Sequence, residues 1–291
     1  MHKKSLGDKV FDVSNIGFLL LLSLITLYPF WYVLVESVLP YSESIKSNFH
    51  LFPTQISWES YKYVFADPLT VNSFVVTVMV TVVGTALSLL TTTMIAYALS
   101  KSDLPGKNLM LTLIIITMFF SGGLIPYYFL VKNLGFIDTW AVQIFNLSFI
   151  STFNVIVVKT FIQTLPDEIE ESAKVDGAGY FRVFFQIVLA MCVPVLATIG
   201  LFIAVQYWNN WFAPMLFVNS KEKWPLALVL RAILIENDID TANSSYQSTE
   251  YLLSESVKMA TVIISVIPII AVYPFIQRYF VKGMLLGAVK S

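Results

Sequence analysis

The chain has 291 residues, 57% of them hydrophobic and 13% charged, with a formal net charge of −1 and a mean hydropathy of +0.74. It is far more apolar than an ordinary soluble domain. No basic stripe supports a nucleic-acid partner, and none is expected, and the single cysteine, Cys192, excludes an internal disulfide framework. A helix needs about 20 apolar residues to cross hydrocarbon, and six charge-free runs meet or approach that length. They are 13–35 (23 residues), 68–100 (33), 108–131 (24), 139–158 (20), 183–220 (38) and 259–277 (19). The runs are continuous rather than alternating, which predicts an all-α polytopic membrane protein with six spans, not a barrel. Lys3, Lys4 and Lys9 precede the first run as in a signal peptide. That run is too long and lacks a small-residue cleavage site, so it is expected to be retained.

Orientation follows from the basic residues. With the N-terminus inside, the inner segments hold eleven Lys and Arg and the outer ones seven. The positive-inside tendency therefore predicts both termini in the cytoplasm. The expected organisation is a cytoplasmic N-terminus (1–12), a first span (13–38) and an extracellular segment (39–67). A five-span core (68–281) and a cytoplasmic tail (282–291) follow. Within the core lie an inner loop (165–190) and an outer loop (220–254), in which 226–235 reads as an interfacial or packed helix and 237–249 as polar loop.

The inner loop is the main polar interruption. Asp167, Glu168, Glu170, Glu171, Lys174, Asp176 and Arg182 fall within sixteen residues, so this stretch must lie outside the hydrocarbon. Its pattern is helical. Thr164 is the expected N-cap, Pro166 is near the first helical position, and acids crowd the opening turns against the positive end of the dipole. Glu170 and Lys174 are spaced for an i,i+4 pair, and Gly177 and Gly179 should end the helix. Small residues along it (Ser172, Ala173, Ala178) would let another protein approach closely; the plainer alternative is a solvated, capped loop.

The rest of the chemistry is mostly absence. There is no phosphate-binding loop, since Gly106-Lys107 lacks the upstream glycine. The two histidines, His2 and His50, form no metal cluster and no Ser-His-Asp arrangement, so neither a metal nor an enzymatic role is expected. The span cores carry no ionisable group except tyrosine, whereas ion-coupled carriers place carboxylates or histidine at mid-membrane. Energy should then come from a partner. An ion-coupled carrier working alone, or a membrane anchor without a path, are the competing classes. Uncharged polar groups mark a candidate path: Gln206, Trp208, Asn209, Asn210 and Trp211 in the fifth run, Asn146 and Asn154 in the fourth, Tyr127 in the third. Amides with aromatic faces suit sugars. An interfacial belt for the tryptophans and interhelical hydrogen bonding for the asparagines are the alternatives. Gly122, Gly123 and Pro126 predict a broken or kinked third span.

Several of these stretches together resemble one family. Glu171-Ser172-Ala173, Asp176-Gly177-Ala178 and Ile187-Val188-Leu189 are similar to the coupling-loop signature of permease subunits in binding-protein-dependent ABC importers. Ser172 stands where that family usually has Ala, and Ala190 where it usually has Pro, so the helix should run on more continuously. Asn72-Ser73, Ala96-Tyr97-Ala98-Leu99-Ser100 and Leu104-Pro105-Gly106 resemble the start of the family's shared domain. SGGLIPYYFLVKNLGFIDT and YWNNWF resemble the branch that imports complex carbohydrates, and the C-terminal sequence resembles the tail of the maltose-type permease. The resemblance implies the type I importer fold and an ATPase-coupling role for Glu170, Glu171, Ser172, Ala173, Asp176, Gly177, Ala178 and Arg182. It implies an ATPase contact at the tail by Lys282, Gly283, Gly287 and Lys290. It also implies a second related permease, two ATPase subunits that bind the ATP and Mg (none in this chain), a lipid-anchored extracytoplasmic sugar-binding protein, and a bacterial cytoplasmic membrane.

Overall fold

The computed structural model describes residues 6–44, 50–146, 149–235 and 255–288, and among them every regular element is helical. The first helix, α1 (Leu6–Ser37), is longer than its apolar run at both ends. It is greasy on all sides: Val10, Phe18, Leu24 and Phe30 are each more than 60% exposed to whatever surrounds the chain, as suits a lipid-facing rod. Its Ser23 and Thr26 hydroxyls donate to Leu19 and Leu22 carbonyls at 2.8 and 3.0 Å, satisfying polar groups within the helix where no water is available. The last turn takes in Glu36, which is 2% exposed; Ser44 donates to its carboxylate and His50 Nδ1 lies 3.4 Å away.

A short helix, α2 (Glu59–Ala66), precedes α3 (Pro68–Ser100), whose bounds coincide with the second apolar run. The start of α3 is fixed by chemistry that favours helix N-termini. Asp67 accepts from the Leu69 and Thr70 amides at 3.2 and 3.0 Å, with proline in the first helical position.

The third run is broken as expected. Helices α4 (Lys107–Phe119) and α5 (Leu124–Asn133) are bent by 115° to one another. The break is at Gly123, whose φ of +83° is open to glycine but costly for other residues. The fourth run departs from the expected continuous span. It forms α6 (Trp140–Ile144) and α7 (Thr152–Ile162), and the described residues between them, 145–146 and 149–151, are not helical. Apolar content measured run length there and could not register the interruption.

Helix α8 (Asp167–Val175) follows. Its start corrects the expected cap: Pro166 is the N-cap residue, while the Thr164 hydroxyl turns back to the Phe161 carbonyl at 2.7 Å. Its end is the expected glycine stop. Gly177 has φ +81°, its amide donates to Lys174 O at 3.0 Å and the Ala178 amide to Ala173 O at 2.9 Å, the paired bonds of a Schellman motif. The segment α9 (Tyr180–Met191), with a π turn at Phe184–Val188, runs through Ala190 without stopping. It is bent by 82° against α10 (Val193–Trp208) at Cys192, just before Pro194. Helices α11 (Phe212–Phe217), α12 (Leu226–Ile235) and α13 (Glu255–Ala288) complete the fold. The expected helix at 226–235 is present and packed, with Leu226 and Val229 buried; the polar stretch 237–249 lies outside the described residues. The last helix continues unbroken past the expected end of the core at 281, through Lys282, Gly283 and Gly287.

Two compact units can be distinguished, Met1–Val71 with Ala232–Ile267, and Asn72–Arg231 with Pro268–Ser291. In the first, Val64 packs against Val257, Ala260 and Ile264, and the Ser37 and Tyr61 hydroxyls meet at 2.8 Å. In the second, the main core joins Val76, Val80 and Tyr97 of α3 to Val155 and Val158 of α7, Val183, Phe184 and Val188 of α9, and Ile199, Ile203 and Tyr207 of α10. The closest approach is at Gly84, where an added Cβ would lie 2.6 Å from the Tyr207 ring.

Candidate coupling and substrate sites

Glu171 and Ser172 on α8, with Asp176 and Gly177 in the turn that ends it, are all open to the surroundings. Arg182, at the start of α9, is exposed too, its Nε donating to Gln186 Oε1 at 3.1 Å. Ala173 and Ala178 point the other way and pack against the core cluster of the second unit. Glu170 shares that inner side. Its side chain is 15% exposed, and it accepts hydrogen bonds from Tyr97 Oη at 3.0 Å, from Lys101 Nζ and from Lys174 Nζ at 3.2 Å. Lys101 also stands 4.4 Å from the centroid of the Tyr97 ring. Burial alone would raise the Glu170 carboxyl, but the bonds from Lys101, Tyr97 and Lys174 outweigh it and hold the group below the ordinary carboxylate value. Lys174 is raised in turn by its bond to Glu170. Periodicity pointed to the Glu170–Lys174 pair; it gave no sign of Tyr97 and Lys101, which are 73 and 69 residues away.

The polar residues proposed for a path do not form one group. Tyr127, Asn146, Gln206 and Asn210 line a single cavity of about 280 Å³, together with apolar residues of α5, α10 and α11 and no charged side chain. Tyr207, largely buried, also lines it and donates from its hydroxyl to the Ile144 carbonyl at 2.5 Å. Trp208 faces a different cavity of about 480 Å³, almost wholly apolar, between α3, α10 and Pro268–Val272 of α13, and meets Phe74 edge-on at 6.0 Å. Asn209 turns its amide back to the Val205 carbonyl at 2.9 Å. Asn154 is buried within α7, apart from both cavities. Trp211 carries the Arg231 guanidinium on its ring face at 3.8 Å, a cation–π contact of the close, stacked kind.

A clasp that no sequence pattern announced braces the first cavity. Asp138 adopts φ +56°, a left-handed conformation that Asp tolerates better than most side chains. Its amide donates to Phe217 O at 2.7 Å. Its carboxylate accepts from the Ser220 amide at 3.0 Å and hydroxyl at 2.6 Å, and Lys223 Nζ donates to its carbonyl at 2.5 Å. These bonds hold the Asp138 carboxyl down at about 2, with the Ser220 hydroxyl the largest cause. Gln143, 1% exposed, donates to the Lys223 carbonyl at 2.9 Å. The turn before α6 and the turn after α11 are thereby locked together. Of the tail residues, Lys282, Gly283 and Gly287 lie within α13, and Lys290 lies outside the described residues.

A family model described as binding-protein-dependent transport system inner membrane component matches residues 63–286. The chain belongs to this family. It is a membrane permease component of such a transport system, not an enzyme. It is 43% identical over 291 residues to the protein LplC of Bacillus subtilis, covering 100% of this chain and 98% of that protein. It is 40% identical over 289 residues to the polygalacturonan/rhamnogalacturonan transport system permease YtcP of the same organism, covering 98% and 99%. Among solved structures it matches a chain of a bacterial ABC transporter involved in import of the acidic polysaccharide alginate. The TM-score is 0.88 at 29% identity, with 96% of this chain and 100% of that chain covered. The fold is thus that of a type I ABC importer permease, as the motifs implied, and α1 lies ahead of the region the family model matches.

Proposed function

We propose that the permease carries a carbohydrate, most simply an oligosaccharide, inward across a bacterial cytoplasmic membrane by alternating access, driven by ATP hydrolysed in partner subunits. In this scheme both termini and the 165–190 loop face the cytoplasm. The exposed residues Glu171, Ser172, Asp176 and Gly177 seat α8 in one of two ATPase subunits, which bind the ATP and Mg, and Arg182 flanks that contact. Ala173 and Ala178 support the helix from behind. A second, related permease completes the path, a lipid-anchored binding protein delivers sugar from outside, and the tail residues Lys282, Gly283, Gly287 and Lys290 contact the ATPases.

The observation that carries the substrate class is the 280 Å³ cavity of Tyr127, Asn146, Gln206 and Asn210. Neutral amides and a phenol can exchange hydrogen bonds with sugar hydroxyls without fixing a charge, and apolar walls accept the ring face. Relatives named for polygalacturonan and for alginate transport support a carbohydrate as the cargo. The test is uptake of labelled oligosaccharides by the complete transporter in proteoliposomes. Gln206→Ala with Asn210→Ala should cut uptake at least about tenfold, the loss of one to two hydrogen bonds to buried substrate. Trp208→Ala, which opens onto the other cavity, should have the smaller effect. Equal uptake by the double variant and the unaltered protein would remove the cavity from the path.

A further inference from the structure

Helix α8 is set off from its neighbours in sequence by a turn at each end, Pro166 before it and Gly177 with Gly179 after it, so neither neighbour continues it as one rigid rod. A push on its exposed face would be dissipated at these joints unless something else ties the helix to the bundle. The alanine contacts at 173 and 178 are apolar and non-directional. Glu170 is different. Two of its three donors, Tyr97 and Lys101, belong to the inner end of α3 and the residue just past it. Tyr97 is itself fixed, 7% exposed and tilted against the Phe184 ring of α9 at 5.4 Å. Hydrogen bonds that involve ionised partners are directional and roughly twice as strong as neutral ones, and a shielded carboxylate stripped of its cation is strongly penalised.

We infer that Glu170 is a positioning residue which fastens the coupling helix to α3, so that movement of α8 is delivered to the second span and not only to the helices on either side of it. The inference rests on the proposed ATPase contact of α8, but gives Glu170 a role inside the permease and leaves docking to Glu171 and Asp176. It also accounts for the one acid of α8 that is turned away from the exposed face. Because α3 holds Gly84 against Tyr207, and Tyr207 lines the polar cavity, the tie reaches from the docking face to the cavity through two helices in contact.

The test uses the complete transporter, reconstituted with its ATPase and binding protein, and reads substrate transported per ATP hydrolysed. Glu170→Gln and Lys101→Met should each keep ATP hydrolysis and lower that ratio about fivefold or more, the usual lower range of coupling between sites. The double variant should be no worse than the more severe single one, since both remove one link. Unchanged ratios in both single variants, or fully multiplicative losses in the double, would overturn the proposal. If Glu170 instead touched the ATPase directly, Glu170→Gln would weaken co-purification of the ATPase while Lys101→Met would not. That outcome also overturns it. Should Glu170→Gln fail to assemble, Tyr97→Phe and Lys101→Met, both off the docking face, decide the matter by the same ratio. Absence of ATP-driven uptake in the unaltered transporter would count against the proposed function itself, whereas coupled uptake that survives all these variants counts against the tie alone.

Discussion

At the scale of single residues, the informative groups are those whose partners lie far away in sequence. Asp138 is one. Its folded pKa, about 2, lies below the ordinary value of 3.8, so the clasp contributes its full stability above about pH 4 and loses it as pH falls toward 2. Asp138→Asn should flatten the dependence of thermal stability on pH across that window in detergent-solubilised protein, while the unaltered protein keeps its slope. Gly84 and Gly200 make a second comparison. A Cβ at Gly84 would collide at 2.6 Å with a Tyr207 ring that is pinned by its hydroxyl, whereas at Gly200 it would meet Leu89 Cδ2 at an ordinary 3.4 Å. Gly84→Ala should therefore cost about 1–3 kcal/mol by overpacking. Gly200→Ala should be neutral or stabilising by up to about 1 kcal/mol, since the helix favours alanine. Equal melting temperatures for the two would refute the close contact.

At the scale of elements, α8 shows what sequence can and cannot convey. Its helical state, its glycine stop and the Glu170–Lys174 pair follow from spacing and turn chemistry. The break between α4 and α5 follows equally from Gly122, Gly123 and Pro126. Which acid faces inward does not follow, because Asp167, Glu168, Glu170 and Glu171 occupy nearly every direction around the first turns. Only the small apolar Ala173, three residues after Glu170 on the same side, hinted at the buried face. The pieces of the fourth run and the separation of Trp208 from Asn210 were likewise hidden. Each is decided by tertiary packing around Tyr207 and by which side of α10 a residue occupies, and composition is blind to both. Gly177, at φ +81°, gives the element its own prediction. Gly177→Asp should strain the turn by about 1–2 kcal/mol and add charge to the docking face. Membrane insertion should be retained while uptake is lost and ATP hydrolysis persists; normal uptake would argue against docking by this turn.

At the scale of the whole molecule, function is divided between a membrane-embedded chain with no hydrolytic chemistry and the other components of a binding-protein-dependent system. The relatives match from end to end, and the family model begins only at residue 63, so α1 falls wholly within the part of the chain that the model leaves unclaimed. Its exposed girth, oily in every direction, gives it no preferred azimuth in a bilayer. Near its C-terminal end it is held by Ser37 against Tyr61 and by the Trp31 indole on the Leu51 carbonyl at 2.7 Å. It is a mast stepped at its foot: a spin label at Leu24, 68% exposed, should report a mobile side chain, and one at Val35, 1% exposed, very little motion.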